Sequence, residues 1–382
     1  MKRNTSNQLQ IETEMRTDMK NLLVGQSGGP TAVINASLYG VVKAALASSE
    51  IDHVYGMVNG IEGMLQDHTI DLGESLSEEE LELLKLTPAA YLGSCRYKLP
   101  ESLTDAFYET IFEKFRRMEI GYFLYIGGND SMDTVSKLSR YAAHHGSDIR
   151  FIGIPKTIDN DLWGTDMTFG FQSAVNVATD AIDSIHTTAA SHGRVFIVEV
   201  MGHKVGWLTL HAGIAGGADI ILIPEIPYDI NVVVNALKER NRQGKRFSIL
   251  AVAEGAISKE DASLTKKELK EKKKSGLVYP SVAYELGAKI EELTGQEVRV
   301  TVPGHTQRGG EPCAYDRVLS TRLGAEAAGL ILNKEYGYMV CVENNEISRV
   351  PLEEVAGKLK TVDPECSTIK EAKMLGISFG DE

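Results

Sequence analysis

Nearly unbroken apolar runs alternate along this chain with stretches whose apolar residues recur every three or four positions. The runs at 21–24, 53–58, 122–126, 151–154, 194–200, 219–223, 248–253 and 298–302 read as strands. Several lack in-and-out alternation, which predicts burial on both faces, the habit of parallel strands. Helical spacing holds at 32–47, 174–191 and 231–242. In the first of these, Val33, Ala36, Leu38, Val41, Val42 and Leu46 form a broad apolar face. Alternating strand and helix predicts an α/β fold of mainly parallel sheets covered by helices on both faces.

With 382 residues, 43% of them hydrophobic and 24% charged, the chain can bury one large or two ordinary cores, and two domains are the favoured expectation. Residues 1–20 read as a polar extension with no apolar core of signal-peptide length, and no run reaches the roughly 18 apolar residues of a membrane span. A cytoplasmic protein that avoids the membrane is expected. The formal net charge of −13 speaks against nucleic acid as a partner, because duplex binding needs a basic face. Cys95, Cys313, Cys341 and Cys366 contain no C-x-x-C pair and predict reduced thiols. The Lys-rich stretch near 258–278 reads as a solvated surface helix or hairpin rather than an anion-binding patch.

Candidate chemistry lies where the strands end. The first strand leads into a turn with Gly28 and Gly29 and then a helix, in outline a phosphate-binding arrangement. The strand at 122–126 ends in Gly127-Gly128-Asn129-Asp130-Ser131, and the one at 151–154 in Pro155-Lys156-Thr157-Ile158-Asp159-Asn160-Asp161. Glycine, carboxylates and one lysine suit phosphoryl transfer. Lys156 can hold a terminal phosphate, Asn129 and Asp130 can offer oxygens to Mg²⁺, and Asp159 can take a proton from a sugar hydroxyl. On an extended loop Thr157, Asp159 and Asp161 would project to one side. Three further strand ends supply an acceptor site: Met201-Gly202-His203, Glu254 for sugar hydroxyls, and His305 with Arg308 for a phosphate.

In this combination and order the chain resembles the phosphofructokinase family from about Leu22 to beyond Gly324. The motifs that carry the likeness are Ser-Gly-Gly, Gly-Gly-Asn-Asp-Ser, Pro-Lys-Thr-Ile-Asp-Asn-Asp, Val-Glu-Val-Met-Gly, Val-Ala-Glu-Gly and Gly-His-Thr-Gln-Arg-Gly-Gly. The resemblance implies two similar Rossmann-like domains with the active site in the cleft between them. One would comprise 21–170 plus about 307–360 and hold the donor. The other would comprise about 171–306 plus 361–382 and hold fructose 6-phosphate. It further implies Mg²⁺ as cofactor and a homo-oligomer, dimer or tetramer. Asp159 then matches the base for the 1-hydroxyl, with Thr157 and Asp161 beside it. Met201, Gly202 and Glu254 match sugar contacts, and His305 and Arg308 match contacts to the 6-phosphate. Arg194 and Arg299 match arginines from a neighbouring subunit, and Arg96 one that contacts the transferring phosphate.

Within that family, ATP-dependent bacterial members typically carry glycine at the positions of Asp130 and Lys156, whereas pyrophosphate-dependent members carry aspartate and lysine. A carboxylate at Asp130 would crowd and repel a further phosphate, while the Lys156 ammonium replaces charge neutralisation lost with the nucleotide. The expectation is therefore a reversible, pyrophosphate-dependent 6-phosphofructokinase of glycolysis and gluconeogenesis. The alternatives are an ATP-dependent enzyme and, from another class, a non-catalytic sugar-phosphate sensor. A Rossmann-type dehydrogenase is disfavoured, since no G-x-G-x-x-G follows the first strand. The chain departs from the family pattern in three respects. Asn129 stands where many members have a metal-linked aspartate, His203 replaces an arginine, and Tyr39 and Lys43 occupy positions where regulated members bind a phosphorylated effector through arginines. Little or altered effector control is expected.

Overall fold

The structure, a computed structural model, describes residues 20–265, 267–269, 271 and 279–382. The predicted N-terminal extension up to residue 19 and most of the Lys-rich stretch lie outside the described residues. The strands are β1 (Lys20–Gln26), β2 (Ile51–Met57), β3 (Thr69–Asp71), β4 (Ile120–Gly127), β5 (Arg150–Pro155), β6 (Val195–Val200), β7 (Ile220–Leu222), β8 (Ser248–Ala253), β9 (Val298–Thr301), β10 (Tyr338–Glu343) and β11 (Glu346–Pro351). The helices that cover them are α1 (Ile34–Leu46), α2 (Ala106–Arg117), α3 (Asn129–His144), α4 (Phe171–His192), α5 (Trp207–Ala215), α6 (Ile230–Arg242), α7 (Val282–Thr294) and α8 (Ala314–Leu332).

The chain divides into two compact units. The first comprises residues through Thr157, then Leu162–Gly170 and Pro312–Leu359. The second comprises Ile158–Asp161, Phe171–Glu311 and Lys360–Glu382.

Among the described residues the first unit holds a seven-stranded sheet in the order β11-β10-β5-β4-β1-β2-β3. Its five central strands are parallel, with an antiparallel strand at each edge. The apolar runs build it because successive side chains enter opposite cores. Leu22 and Val24, Leu124 and Ile126, Ile152 and Ile154, and Val340 and Val342 face one core with α1 and α8. Leu23, Phe123 and Tyr125, Phe151, Met339 and Cys341 face the other with α2 and α3. Helices α1 and α8 approach closely because glycines meet there. A Cβ on Gly40 would lie 2.3 Å from the Thr321 carbonyl oxygen, and one on Gly324 would lie 2.0 Å from that of Ser37.

The second unit holds a four-stranded parallel sheet in the order β7-β8-β6-β9. One face packs on α6 and α7 through Val233, Leu237, Leu286 and Ile290. The other is covered by α4 and α5. Mixed α/β layering with mostly parallel sheets is the predicted class. In each unit the parallel strands run the same way, so their carboxyl ends gather at one edge, where open α/β sheets place their ligands.

All four cysteines are free, with Cys95 and Cys341 buried. No helix among the described residues is long and apolar enough to cross a membrane.

Candidate active site

The first unit assembles three loops. At the end of β1 the chain turns through Ser27-Gly28-Gly29, with Gly28 in the left-handed region at φ 77°. The Ser27 amide donates to the Ile126 carbonyl at 2.9 Å, which ties this turn to the end of β4. The Lys156 amide donates to the Gly127 carbonyl at 2.9 Å, which ties the end of β5 to the same place. The Lys156 side chain is buried, and its ammonium donates to the Gly29 carbonyl at 2.6 Å. A Cβ on Gly28 would lie 3.3 Å from that ammonium. A buried cation thus stands against the glycine turn, a position that suits an anion.

Asn129 and Asp130 form the first turn of α3, whose N-cap is Gly128 with no side-chain capping bond. Asp130 projects into solvent, where a carboxylate is favoured by the helix N-terminus. Arg96 lies on the segment that follows Gly93 and is exposed. This segment abuts the glycine turn, since the Gly28 amide donates to the Cys95 carbonyl at 3.0 Å. Gly28, Gly29, Arg96, Asn129, Asp130 and Lys156 therefore belong to neighbouring strand-end loops of one sheet.

Thr157 closes the first unit's strand end, and its carbonyl accepts from Thr168 Oγ1 at 2.8 Å. Beyond it the extended loop expected from the sequence is not found. Asn160 is left-handed at φ 53°, so the chain reverses between Asp159 and Asp161 and same-side projection of Thr157, Asp159 and Asp161 does not follow from alternation. Asn160 is buried, and its Oδ1 accepts from Lys360 Nζ at 2.9 Å. The Lys360 amide donates to the Asp161 carbonyl at 2.9 Å. Asp159 and Asp161 flank this anchored residue and are half-buried.

In the second unit Met201-Gly202-His203 follows β6, Glu254 follows β8, and a 3₁₀ turn, Gly304–Arg308, follows β9. Gly202 adopts φ 135°, and a Cβ there would lie 2.6 Å from the Val205 carbonyl oxygen. Its amide donates to Glu254 Oε1 at 3.4 Å, which brings the glutamate to the loop. His203, Glu254 and His305 are exposed, and Arg308 and Met201 half-buried. The sequence reading gave no role to Gln307. It is buried, accepts from the Met201 amide at 3.1 Å through Oε1 and donates to the Gly304 carbonyl at 3.0 Å through Nε2. One amide thereby joins the loop at 201 to the turn that carries His305 and Arg308. Its place inside the Gly-His-Thr-Gln-Arg motif was the available signal.

Arg194 and Arg299 lie elsewhere. Both pair with Glu297 at the opposite, amino-terminal ends of β6 and β9. The six residues of β6 put Arg194 about 20 Å from the loop at Met201, and Arg299, the second residue of β9, is turned towards the amino-terminal end by its pairing with Glu297.

A divalent cation fits the donor loops in one way. Asn129 and Asp130 offer oxygen ligands, yet among the described residues the one close group of three potential metal ligands is His53, Asp71 and Glu74 at the β2–β3 edge. A cation at the donor loops would therefore be held chiefly by phosphate oxygens and water, a mode that suits Mg²⁺.

Tyr39 and Lys43 on α1 are engaged by carboxylates. Tyr39 donates to Glu82 at 2.9 Å, Lys43 pairs with Glu78 and Glu82, and Lys85 reaches Glu82 at 2.6 Å. Lys85, then Tyr39, hold the Glu82 carboxyl down to about 2.

Parallel sheets whose strand ends carry a glycine-cradled lysine, oxygen-bearing side chains and a further set of polar groups suit a phosphotransferase. The phosphofructokinase pattern matches residues 21–331. An ATP-dependent 6-phosphofructokinase from Spirochaeta thermophila is 42% identical over 363 residues, covering 93% of this chain and 96% of the relative. Another so named, from Bacteroides thetaiotaomicron, is 40% identical over 93% of this chain and 98% of its own length. Among solved structures, a pyrophosphate-dependent phosphofructokinase from Nitrosospira multiformis superposes with a TM-score of 0.79 at 30% identity, covering 90% of this chain and 86% of that one. The chain belongs to the phosphofructokinase family.

Proposed function

We propose that this phosphofructokinase moves a phosphoryl group reversibly from inorganic pyrophosphate to the 1-hydroxyl of fructose 6-phosphate, in the cytoplasm. The observation that carries the choice of donor is the buried Lys156 ammonium against the Gly28–Gly29 turn. It supplies fixed positive charge where a nucleotide donor would place its own phosphates, and Asp130 adds bulk against a third phosphate. The pyrophosphate-dependent enzyme from Nitrosospira multiformis supports the same reading. The relatives named ATP-dependent support the second reading, ATP as donor.

In the forward direction Asp159 accepts the proton of the 1-hydroxyl as that oxygen attacks the near phosphorus of pyrophosphate. The bridging P–O bond breaks and phosphate leaves with its electron pair. Lys156 and Arg96 hold the phosphates, and Thr157 and Asp161 flank the base. Met201, Gly202, His203 and Glu254 hold the sugar, and His305 and Arg308 hold its 6-phosphate. Asn129 and Asp130 would hold magnesium, directly or through its waters, and when bound it would supply neutralisation of the charge that develops in the transfer.

Assaying the purified protein with each donor decides between the readings. Turnover with pyrophosphate and little with ATP is expected, and the reverse result would sink the proposal. A base at Asp159 further requires that Asp159→Asn lose several orders of turnover while fructose 6-phosphate still binds. A sensor without chemistry would show no turnover to lose.

A further inference from the structure

The segment after Gly93 carries a charged residue that none of the roles above uses. Residues 93–100 have no regular structure and are fastened to the glycine turn. Ser94 Oγ donates to the Gly28 carbonyl at 2.6 Å, and Ser27 Oγ to the Cys95 carbonyl at 3.3 Å. Burial along the segment alternates. Cys95 and Leu99 are buried, Tyr97 is half-buried and stacked on Phe107 at 5.5 Å, and Arg96 and Lys98 are exposed. Period-two alternation puts Arg96 and Lys98 on one side of the strand-like segment.

Lys98 Nζ lies 3.5 Å from Asp130 Oδ1, with the two side chains 77% and 75% exposed. An ion pair this open contributes little to folding, so stability gives no reason for it. Its electrostatic effect on a donor is larger. A lone carboxylate beside the glycine turn would repel both phosphates of pyrophosphate as well as a third phosphate. Paired with an ammonium it keeps its volume while its charge is offset.

We propose that Lys98 is a donor-specificity residue: its ammonium pairs with Asp130, so that the pair blocks a longer polyphosphate by bulk without repelling pyrophosphate. The inference rests on the pyrophosphate reading of the same site. Because Lys98 is exposed, its variants should fold.

The test compares Lys98→Met, Lys98→Arg, Asp130→Gly and the double variant Lys98→Met with Asp130→Gly in steady-state assays with pyrophosphate. Lys98→Met should raise the KM for pyrophosphate by about tenfold, roughly the loss of one charge-assisted contact. The KM for fructose 6-phosphate and the melting temperature should stay unchanged, and Lys98→Arg should restore most of the donor affinity. In the Asp130→Gly background the same change should have under about twofold effect, since its partner is gone. An unchanged donor KM in Lys98→Met overturns the inference, as does a tenfold rise that persists without Asp130, or an equal rise for both substrates. A wild-type protein active with ATP and inert with pyrophosphate would instead overturn the donor reading, and the Lys98 inference with it.

Discussion

Gln307 illustrates how a single buried amide can order two loops at once. Its carbonyl and its NH₂ are both used, on Met201 and Gly304, so replacement by leucine strands two backbone groups at about 1–3 kcal/mol each. Gln307→Leu is expected to raise the KM for fructose 6-phosphate several-fold and leave that for the donor unchanged, a split that steady-state kinetics would reveal.

His53 offers a pH-dependent counterpart. Its Nδ1 lies 2.5 Å from Asp71 Oδ2, and this hydrogen bond, opposed by partial burial and assisted by the charges of Asp71, Asp52 and Glu74, raises its pKa. A raised native value means the contribution is complete below the ordinary histidine value of about 6.5 and fades as pH rises through the native one. Melting temperatures of wild type and His53→Gln should therefore differ most in mild acid and converge in alkali. Convergence in acid would contradict this.

Most candidate residues were legible because they follow apolar strands, whereas Arg96, Arg194 and Arg299 do not. The local geometry of the site was less legible. The left-handed Asn160 undid the projected alternation, although asparagine tolerates that conformation and was a readable warning. Gln307 and Lys98 escaped notice because each becomes meaningful only through a partner distant in sequence.

At the scale of elements, the runs of β4, β5, β6 and β8 were readable since both their faces are buried. Helices α3 and α8 were not assigned from the sequence. In α3 the buried face includes Ser131, Thr134, Ser136 and Lys137, the last paired with Glu101 and Asp133 at 2.8 Å, so the hydrophobic stripe is broken. In α8 buried Asp316 and Ser320 mix with Leu319 and Leu323 to the same effect.

The contact of α1 with α8 yields a stability prediction. Gly324→Ala places a methyl against the Ser37 backbone and should cost about 1–3 kcal/mol, measurable by denaturant titration. A neutral effect would mean that the helices separate freely. The carboxylates that hold Tyr39 and Lys43 bear on regulation. A phosphorylated effector would have to displace Glu78 and Glu82 from Lys43, so such metabolites are expected to leave the fructose 6-phosphate saturation curve unmoved. The double variant Glu78→Gln with Glu82→Gln is the one in which a response would emerge.

For the molecule as a whole, the expectation that Arg194 and Arg299 serve a neighbouring copy is open to test, since both pair with Glu297 towards the amino-terminal edge of their sheet. Subunits of Asp159→Asn and Arg299→Ala, each expected to be inactive, would then complement one another when refolded together. About a quarter of wild-type activity is expected for a randomly mixed dimer, where half the molecules are hybrids with one intact site. Absence of recovery in verified hybrids would show that Arg299 does not serve the neighbouring copy's site.

The discontinuity of the first unit has a consequence for biosynthesis. Strand β10, which pairs with β5, and α8, which covers the Leu22–Leu124–Ile152 face, both follow Pro312 in the chain, whereas residues 171–311 of the second unit emerge from the ribosome before them. During translation the larger sheet waits with one apolar face covered by α1 and not by α8 while the smaller one takes shape. Nascent chains stalled just short of α8 should accordingly be the species that chaperones capture and that aggregates.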